Sequence, residues 1–414
     1  MIRFFYNLGI IVTSPFWKVA TVFSPKVKCI VNGRKETKKR LKELNTKLVK
    51  RIWIHLASLG EFEMVLPLVD ALDDSKCEFH FSFYSPSGYI NAKLPNNRSY
   101  KWYLLNDTKN DAEYWIKQLD PDLAVFVKYE FWLNHLKATN KYKVQFIYWN
   151  VLLRENHFLT KWFSQAWWIE LMKTKKVFAQ DSFTHQIFKD KGIASEIIGD
   201  IRFLRSLQAL NNKSALSKEW ESELNKYQNI IFGSSWELEE QAAHEYLTNN
   251  TDNNIRIVLV PHNIGRTNIQ RLIKQFEHFG VLCYSNNKPE LIKDNRVVLI
   301  DNIGLLQSIY RLGSFAVVGG GFKNALHNII EPLSCGLPVV SGDNTPKFPE
   351  AKSAAASEAL IQCSSKGELA KVISKLTDNS ELLQKHKEFA AEHFQDKLPN
   401  LNNAFGYCRK LMTI

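Results

Sequence analysis

FAVVGGGFKNALHNIIEPLSCGLPVV, Phe315 to Val340, decides the fold class. Its opening run, Phe315–Val318, is apolar and short, as a strand buried on both faces requires. Gly319, Gly320 and Gly321 end the run. Pro332 is tolerated only in a helix's first turn, so a helix begins near Asn328 to Glu331. Gly336 then ends the helix and Pro338 opens the next apolar run. Strand, turn, helix and strand in this order make a parallel pair. The glycines admit two readings: a tight turn at positive φ, or backbone N–H groups at a helix start that hold a phosphate. Neither GxGxxG nor GxxxxGK[ST] occurs, which excludes the dinucleotide fingerprint and the P-loop.

The same alternation extends in both directions. Earlier strands are expected at Ile52–Leu56, Phe79–Tyr84, Leu123–Val127, Val144–Trp149, Lys176–Ala179 and Glu196–Ile198. Later ones are expected at Asn229–Phe232, Arg256–Val260, Gly280–Tyr284, Val297–Ile300, Phe315–Val318 and Pro338–Val340. Helical patterns separate most of them. With 414 residues the chain exceeds one ordinary core. The polar stretch Ser206–Gln228 lacks a buried strand and reads as a junction. The expected α/β architecture is therefore two doubly wound, Rossmann-like domains, 26–205 and 229–414, facing across a cleft. Residues 206–228 join them, and a membrane-associating segment, 1–25, precedes them. Ligands of such sheets bind beyond the carboxyl ends of the strands, so the loops there carry the chemistry.

Charge is distributed unevenly. The net charge is +12, yet residues 26–51 alone hold eleven Lys/Arg against Glu36 and Glu43. The remainder is close to neutral, unlike a nucleic-acid binder with a general basic footprint. Before this basic run lies FFYNLGIIVTSPFWKVATVF, Phe4 to Phe23, apolar but interrupted by Pro15 and Lys18. An apolar segment followed by a cationic one fits an anchor at an anionic membrane surface; a helix packed on its own domain is the alternative. No small-residue cleavage site follows, so a removed signal peptide is not expected. Six scattered cysteines with no CxxC pattern imply reduced thiols and no structural metal.

In ASLGEFE, Ala57 to Glu63, Glu61 falls at a helix start after a strand. It is either a helix-dipole partner or a base facing the cleft. KYEFWLNHL, Lys128 to Leu136, sets Glu130 beside aromatics at another strand end; a surface Lys–Glu pair is the alternative. GDIRF puts Arg202 at the interdomain edge, and FGSSWELEE offers Ser234 to an anion or merely caps a helix. VPHN and DNIGLL end two further strands. Glu331, at a helix start beside the glycine turn, is within reach of a ribose diol whose phosphate rests on the glycines.

Two such domains, with Glu-Pro and Gly-x-Pro-Val in the second, resemble the B-type (GT-B) glycosyltransferases. More narrowly, WIHLASLGEFE, YEFW, NVLLRE, AQDS, GDIRF, GSSW, VPHN, DNIGLLQSIY and GGGFKNALHNIIEP resemble, in this order, the 3-deoxy-D-manno-octulosonic acid (Kdo) transferases of Gram-negative bacteria. The resemblance implies inverting, metal-independent transfer of Kdo from CMP-Kdo to the lipid A precursor, lipid IVA, in lipopolysaccharide biosynthesis. The place would be the cytoplasmic face of the inner membrane, with no cofactor beyond the donor. It implies an acceptor-binding N-terminal domain and a donor-binding C-terminal one. By position, Glu61 matches the general base, and Glu130 and Arg202 the residues that stabilise the transition state. The CMP contacts match Pro261, His262, Ile303, Gly304, Leu305, Asn328, Ile329, Ile330 and Glu331. Ser234, Gly319, Gly320 and Gly321 would form the phosphate loop. The family usually has Arg at His262, Thr at Tyr129 and Lys at Arg202, and Met-Gly-Glu in place of Ile303–Leu305. The alternatives are a GT-B enzyme or epimerase acting on a UDP-sugar, and a membrane-tethered nucleotide-binding scaffold without catalysis.

Overall fold

The computed structural model describes residues 2–44, 46–72 and 77–413. It divides into two units, 1–201 with 399–414, and 202–398.

The first unit carries β1 (Lys50–Leu56), β2 (Cys77–Phe83), β3 (Ser99–Tyr103), β4 (Leu123–Val127), β5 (Gln145–Val151), β6 (Lys176–Ala179) and β7 (Ser195–Ile197). They form one sheet in the order β3-β2-β1-β4-β5-β6-β7, every neighbouring pair parallel. The second unit carries β8 (Gln228–Ser235), β9 (Ile255–Pro261), β10 (Val281–Cys283), β11 (Val297–Leu299), β12 (Gly313–Val318), β13 (Val339–Gly342) and β14 (Leu360–Cys363). Its order is β10-β11-β9-β8-β12-β13-β14, again parallel throughout.

Helices cover both faces of the second sheet, and the side-chain period of two divides its residues between them. Ile231, Val258, Val298, Ala316, Val318 and Val339 enter one core. Their alternates Ile230, Phe232, Ile257, Leu259, Phe315, Val317 and Val340 enter the other. This is why these strands read as continuous apolar runs.

Three features differ from the expectation. Residues 206–228 are not a free junction: Leu216, Trp220 and Leu224 lie in the second unit's core. The second domain does not run to 414. The last helix, Asn402–Thr413, belongs to the first unit, where Arg409 Nε donates to Ala71 O (2.8 Å) and Phe405 stacks on Trp149. β3 and β14 are additional; both are edge strands with half-buried residues, so their apolar runs are broken.

The N-terminal segment is two helices, Ile2–Phe23 and Pro25–Lys42. The second covers the open edge of β3: Thr37 Oγ1 accepts from Tyr103 N (3.0 Å) and Arg34 Nε donates to Leu104 O (2.9 Å). A Cβ on Gly33 would collide with the Tyr103 ring, so glycine permits this approach. Among the described residues no helix is long and apolar enough to cross a membrane.

Candidate active site

In the first sheet β1 pairs with β2 on one side and β4 on the other, so the chain order reverses between β1 and β4. That reversal opens a crevice at the strands' carboxyl ends. The helix Leu59–Leu72 follows β1 and carries Glu61 in its first turn. Glu61 is 8% exposed and its Oε2 accepts from Ala57 N at 2.5 Å. After β4, Lys128 adopts φ +55°, a strained conformation for a side-chain-bearing residue, and its N–H donates to Trp149 O at 3.0 Å. The turn this makes delivers Glu130, 6% exposed, to the same place. Glu130 Oε2 accepts from Trp132 Nε1 (2.5 Å) and meets His55 Nε2 at 2.8 Å.

Burial pushes the Glu61 carboxyl up to about 7, and the neighbouring Glu130 charge adds to the rise. The Ala57 N–H, Lys128 and His55 oppose it. A carboxylate near neutrality accepts a proton well at physiological pH while remaining substantially ionised.

The corresponding reversal in the second sheet lies between β8 and β12. Beyond it the loops after β8, β9 and β12 meet through three rings. Trp236 Nε1 donates to His327 Nε2 (3.1 Å), and the His327 ring lies 4.6 Å from that of His262. Burial and the neighbouring His262 hold His327 below the usual histidine range. Asn328 Nδ2 donates to Glu331 Oε1 (2.9 Å), while its Oδ1 accepts from Ile330 N (3.0 Å). Burial raises Glu331, and the Asn328 bond partly offsets this. Ile329 and Ile330 are buried; Ile303 is 86% exposed beside Gly304, at φ +88°, and the buried Leu305. Pro261 ends β9 and hands the chain to His262.

The glycine turn answers differently from the expectation of a phosphate loop. Gly319 N donates to Gly233 O and Gly320 N to Glu239 Oε1, both inside the protein. A Cβ on Gly319 would strike Ser234 O, one on Gly320 Ala325 O, and one on Gly321 the backbone of Gly342. The glycines therefore serve close backbone packing, and Gly320, at φ +86°, also serves the turn. Ser234 itself sits at φ +51°.

Arg202 starts the second unit, where it pairs with Glu350 at 2.9 Å. The sequence reading passed over His55, Trp132, Trp236, His327 and Glu239. His55 and Glu239 left a signal: one polar residue in an otherwise apolar buried strand, and a carboxylate just past a Gly-Ser-Ser turn. Among the described residues no three His, Cys, Asp or Glu side chains are grouped to hold a metal ion.

Residues 32–205 match the family model described as 3-deoxy-D-manno-octulosonic-acid transferase (kdotransferase). Over these residues the chain is similar to the Kdo transferase family. The Kdo transferase of Haemophilus influenzae is 28% identical over 316 residues, 72% of each chain. That of Aquifex aeolicus is 26% identical over 351 residues, 82% of this chain and 88% of the other. In fold, the UDP-GlcNAc 2-epimerase of Neisseria meningitidis matches 88% of this chain and 99% of its own (TM-score 0.59, 11% identity). The chain therefore shares with that protein a fold of two parallel-sheet α/β units. The Kdo transferase match includes Glu61, Glu130 and Arg202, all within 32–205.

Proposed function

We infer that the protein is a Kdo transferase of lipopolysaccharide biosynthesis, a metal-independent glycosyltransferase that needs no cofactor beyond its donor, CMP-Kdo. The observation that carries this reading is the buried Glu61–Glu130 pair at the strand reversal of the family-matched unit. A sugar hydroxyl of the acceptor is far too weakly acidic to ionise at neutral pH, so its proton must leave as the new bond forms. Glu61 takes that proton. The hydroxyl oxygen bonds to the anomeric carbon of Kdo, and the bond to the CMP phosphate breaks with its electron pair leaving on CMP. Glu130 and Arg202 stabilise the charge that develops, and attack opposite CMP inverts the anomeric carbon. On the donor side, His262, Gly304 and Asn328–Glu331 bind CMP, with Glu331 on the ribose. The acceptor is the lipid A precursor.

The acceptor is anionic and membrane-held, which agrees with the N-terminal helices. On Ile2–Phe23, Phe4, Leu8, Ile11, Val12, Phe16, Val19 and Phe23 are exposed, while Tyr6 donates to Asp107 (2.6 Å) and Arg3 pairs with Glu170. On the next helix Lys28, Lys35, Lys39 and Lys42 are exposed on one face. We assign this combination to lying in the headgroup region at the cytoplasmic face of the inner membrane.

The test is incubation with CMP-Kdo and tetra-acylated lipid A precursor, followed by mass spectrometry of the lipid. Addition of Kdo mass supports the reading; unmodified lipid, with turnover of a UDP-sugar instead, rejects it. Removing residues 1–25 should release the protein from anionic vesicles and leave CMP affinity unchanged, as read by sedimentation and calorimetry.

A further inference from the structure

His55 is the last residue but one of β1, among apolar neighbours and with no exposed surface. A polar ring is kept there at a cost unless its nitrogens are satisfied, and both are. Nε2 lies 2.8 Å from Glu130 Oε2. Nδ1 lies 2.9 Å from Ser82 Oγ and 3.0 Å from Ser82 O. Facing a carboxylate, Nε2 must carry a hydrogen. Trp53 Nε1 donates to Ser82 Oγ at 2.7 Å, which leaves the Ser82 hydroxyl its own hydrogen to give to Nδ1. The contacts form one chain: Trp53 to Ser82, Ser82 to His55, His55 to Glu130.

We propose that His55 is a positioning residue that holds Glu130 as a hydrogen-bond acceptor and so leaves the transferred proton to Glu61. The inference rests on the roles proposed above for Glu61 and Glu130. Two carboxylates that feel each other's charge cannot both remain ionised cheaply, and their surroundings decide which takes a proton. One Glu130 oxygen receives N–H bonds from both Trp132 and His55. Glu61 has one backbone N–H, from Ala57, and otherwise feels Glu130, Lys128 and His55 only through their charges. Among the described residues Glu61 also acts on Glu130 through its charge, Tyr148 of β5 donates its hydroxyl to the Glu130 carbonyl at 3.2 Å, and Lys128, on the same turn, acts on Glu61. Trp132 is itself held by stacking on Tyr84. Of the groups around Glu130, His55 is the one joined through Ser82 to the core indole of Trp53.

Two substitutions separate the nitrogens. In His55→Gln the amide N–H occupies the place of Nε2 and keeps the bond to Glu130. In His55→Asn the amide reaches only to the place of Nδ1, and Glu130 loses its donor. The expected result is that H55Q retains most of its turnover while H55N loses roughly 10–100-fold in kcat, with CMP affinity unchanged in both. The acidic limb of the H55N pH–rate profile should also move to higher pH, because Glu130 now competes for the proton. If H55N, folded by circular dichroism, keeps the wild-type kcat and pH limb, the inference is overturned; equal losses in H55Q and H55N with unmoved limbs also overturn it. Glu130→Gln is measured alongside. Full turnover by E130Q rejects the role of Glu130 and the inference with it, whereas a slow E130Q beside a normal H55N rejects the inference alone.

Discussion

Glu61 and Glu239 stand at corresponding places in the two units: each lies in the first turn of the helix after its unit's first strand. Both are buried, and burial raises both carboxyls. They differ in their partners. Glu239 is fully engaged, with Oε2 accepting from Trp236 N and Oε1 from Gly320 N, each at 3.1 Å. Glu61 has the Ala57 N–H on one oxygen and a second carboxylate for a neighbour. The comparison teaches that a buried glutamate at a helix start is structural when backbone donors surround it. It becomes a chemical group when they do not; each feels a neighbouring carboxylate, Glu130 for Glu61 and Glu240 for Glu239, so the backbone donors make the difference.

The largest effect that would break this comparison is on rate. Glu61→Gln keeps size and the Ala57 bond but removes basicity. It should lower kcat by roughly 10²–10⁴ with CMP affinity near wild type. Single-turnover transfer at the wild-type rate would remove Glu61 from the role of base.

The second effect concerns stability. The folded protein binds the Glu61 proton more tightly than the unfolded chain, since the carboxyl lies at about 7 instead of 4.5. Ionised Glu61 therefore costs nothing below the ordinary value, and the cost grows as pH rises through the window to about 7. Above it the cost reaches about 3 kcal/mol. Glu61→Gln should be more stable than wild type at about pH 8, and that advantage should fade as pH falls below about 5. Denaturant midpoints at several pH values measure this. A pH-independent difference would mean that Glu61 keeps an ordinary affinity for its proton.

How far this was legible in sequence follows from the same physics. Apolar runs identified all of the central strands, because a parallel sheet covered on both faces needs them. The edge strands β3 and β14 carry half-buried residues, Tyr100 and Lys101 in one and Ile361 and Gln362 in the other, and so lack the pattern. Glu61 and Glu130 could be singled out by their positions after strands. What separates them from a surface pair is the closing of β1 against β4 and the His55–Ser82–Trp53 chain, whose members are 29 residues apart at most yet join through a sheet register. The glycines misled for a related reason. A glycine turn that packs against backbone and one that cradles phosphate have the same letters, and Glu239, the residue that takes the Gly320 N–H, lies 81 residues away.

A third, smaller effect tests the donor side. Glu331 shares one oxygen with Asn328, and burial disfavours its ionised form, so a polar partner such as a ribose hydroxyl would be bound there to offset that cost. Glu331→Ala should weaken CMP by about 1–3 kcal/mol, the range for a charge-assisted hydrogen bond. Calorimetry on the folded variant that shows unchanged affinity would return Glu331 to a purely local role with Asn328.

The smallest effect is the most direct measure of the contrast, because it applies the same substitution at the corresponding residue. In Glu239→Gln the amide oxygen can still accept from one backbone N–H, but the NH2 group faces the other, and a donor is left without an acceptor. That loss costs about 1–3 kcal/mol. Against it, a neutral amide escapes the burial penalty that raises the carboxyl. The net change should be a destabilisation of about 1 kcal/mol, and the loosened Gly320 turn should carry a modest loss of CMP affinity with it. The acidic limb of the rate profile should not move, since Glu239 takes no part in proton transfer. At about pH 8 the two substitutions should therefore have opposite signs: Glu61→Gln stabilises and loses turnover, and Glu239→Gln destabilises and keeps it. If Glu239→Gln stabilised the fold as well, its two backbone donors would be worth less than the burial of its charge, and partner number would not be what distinguishes the two glutamates.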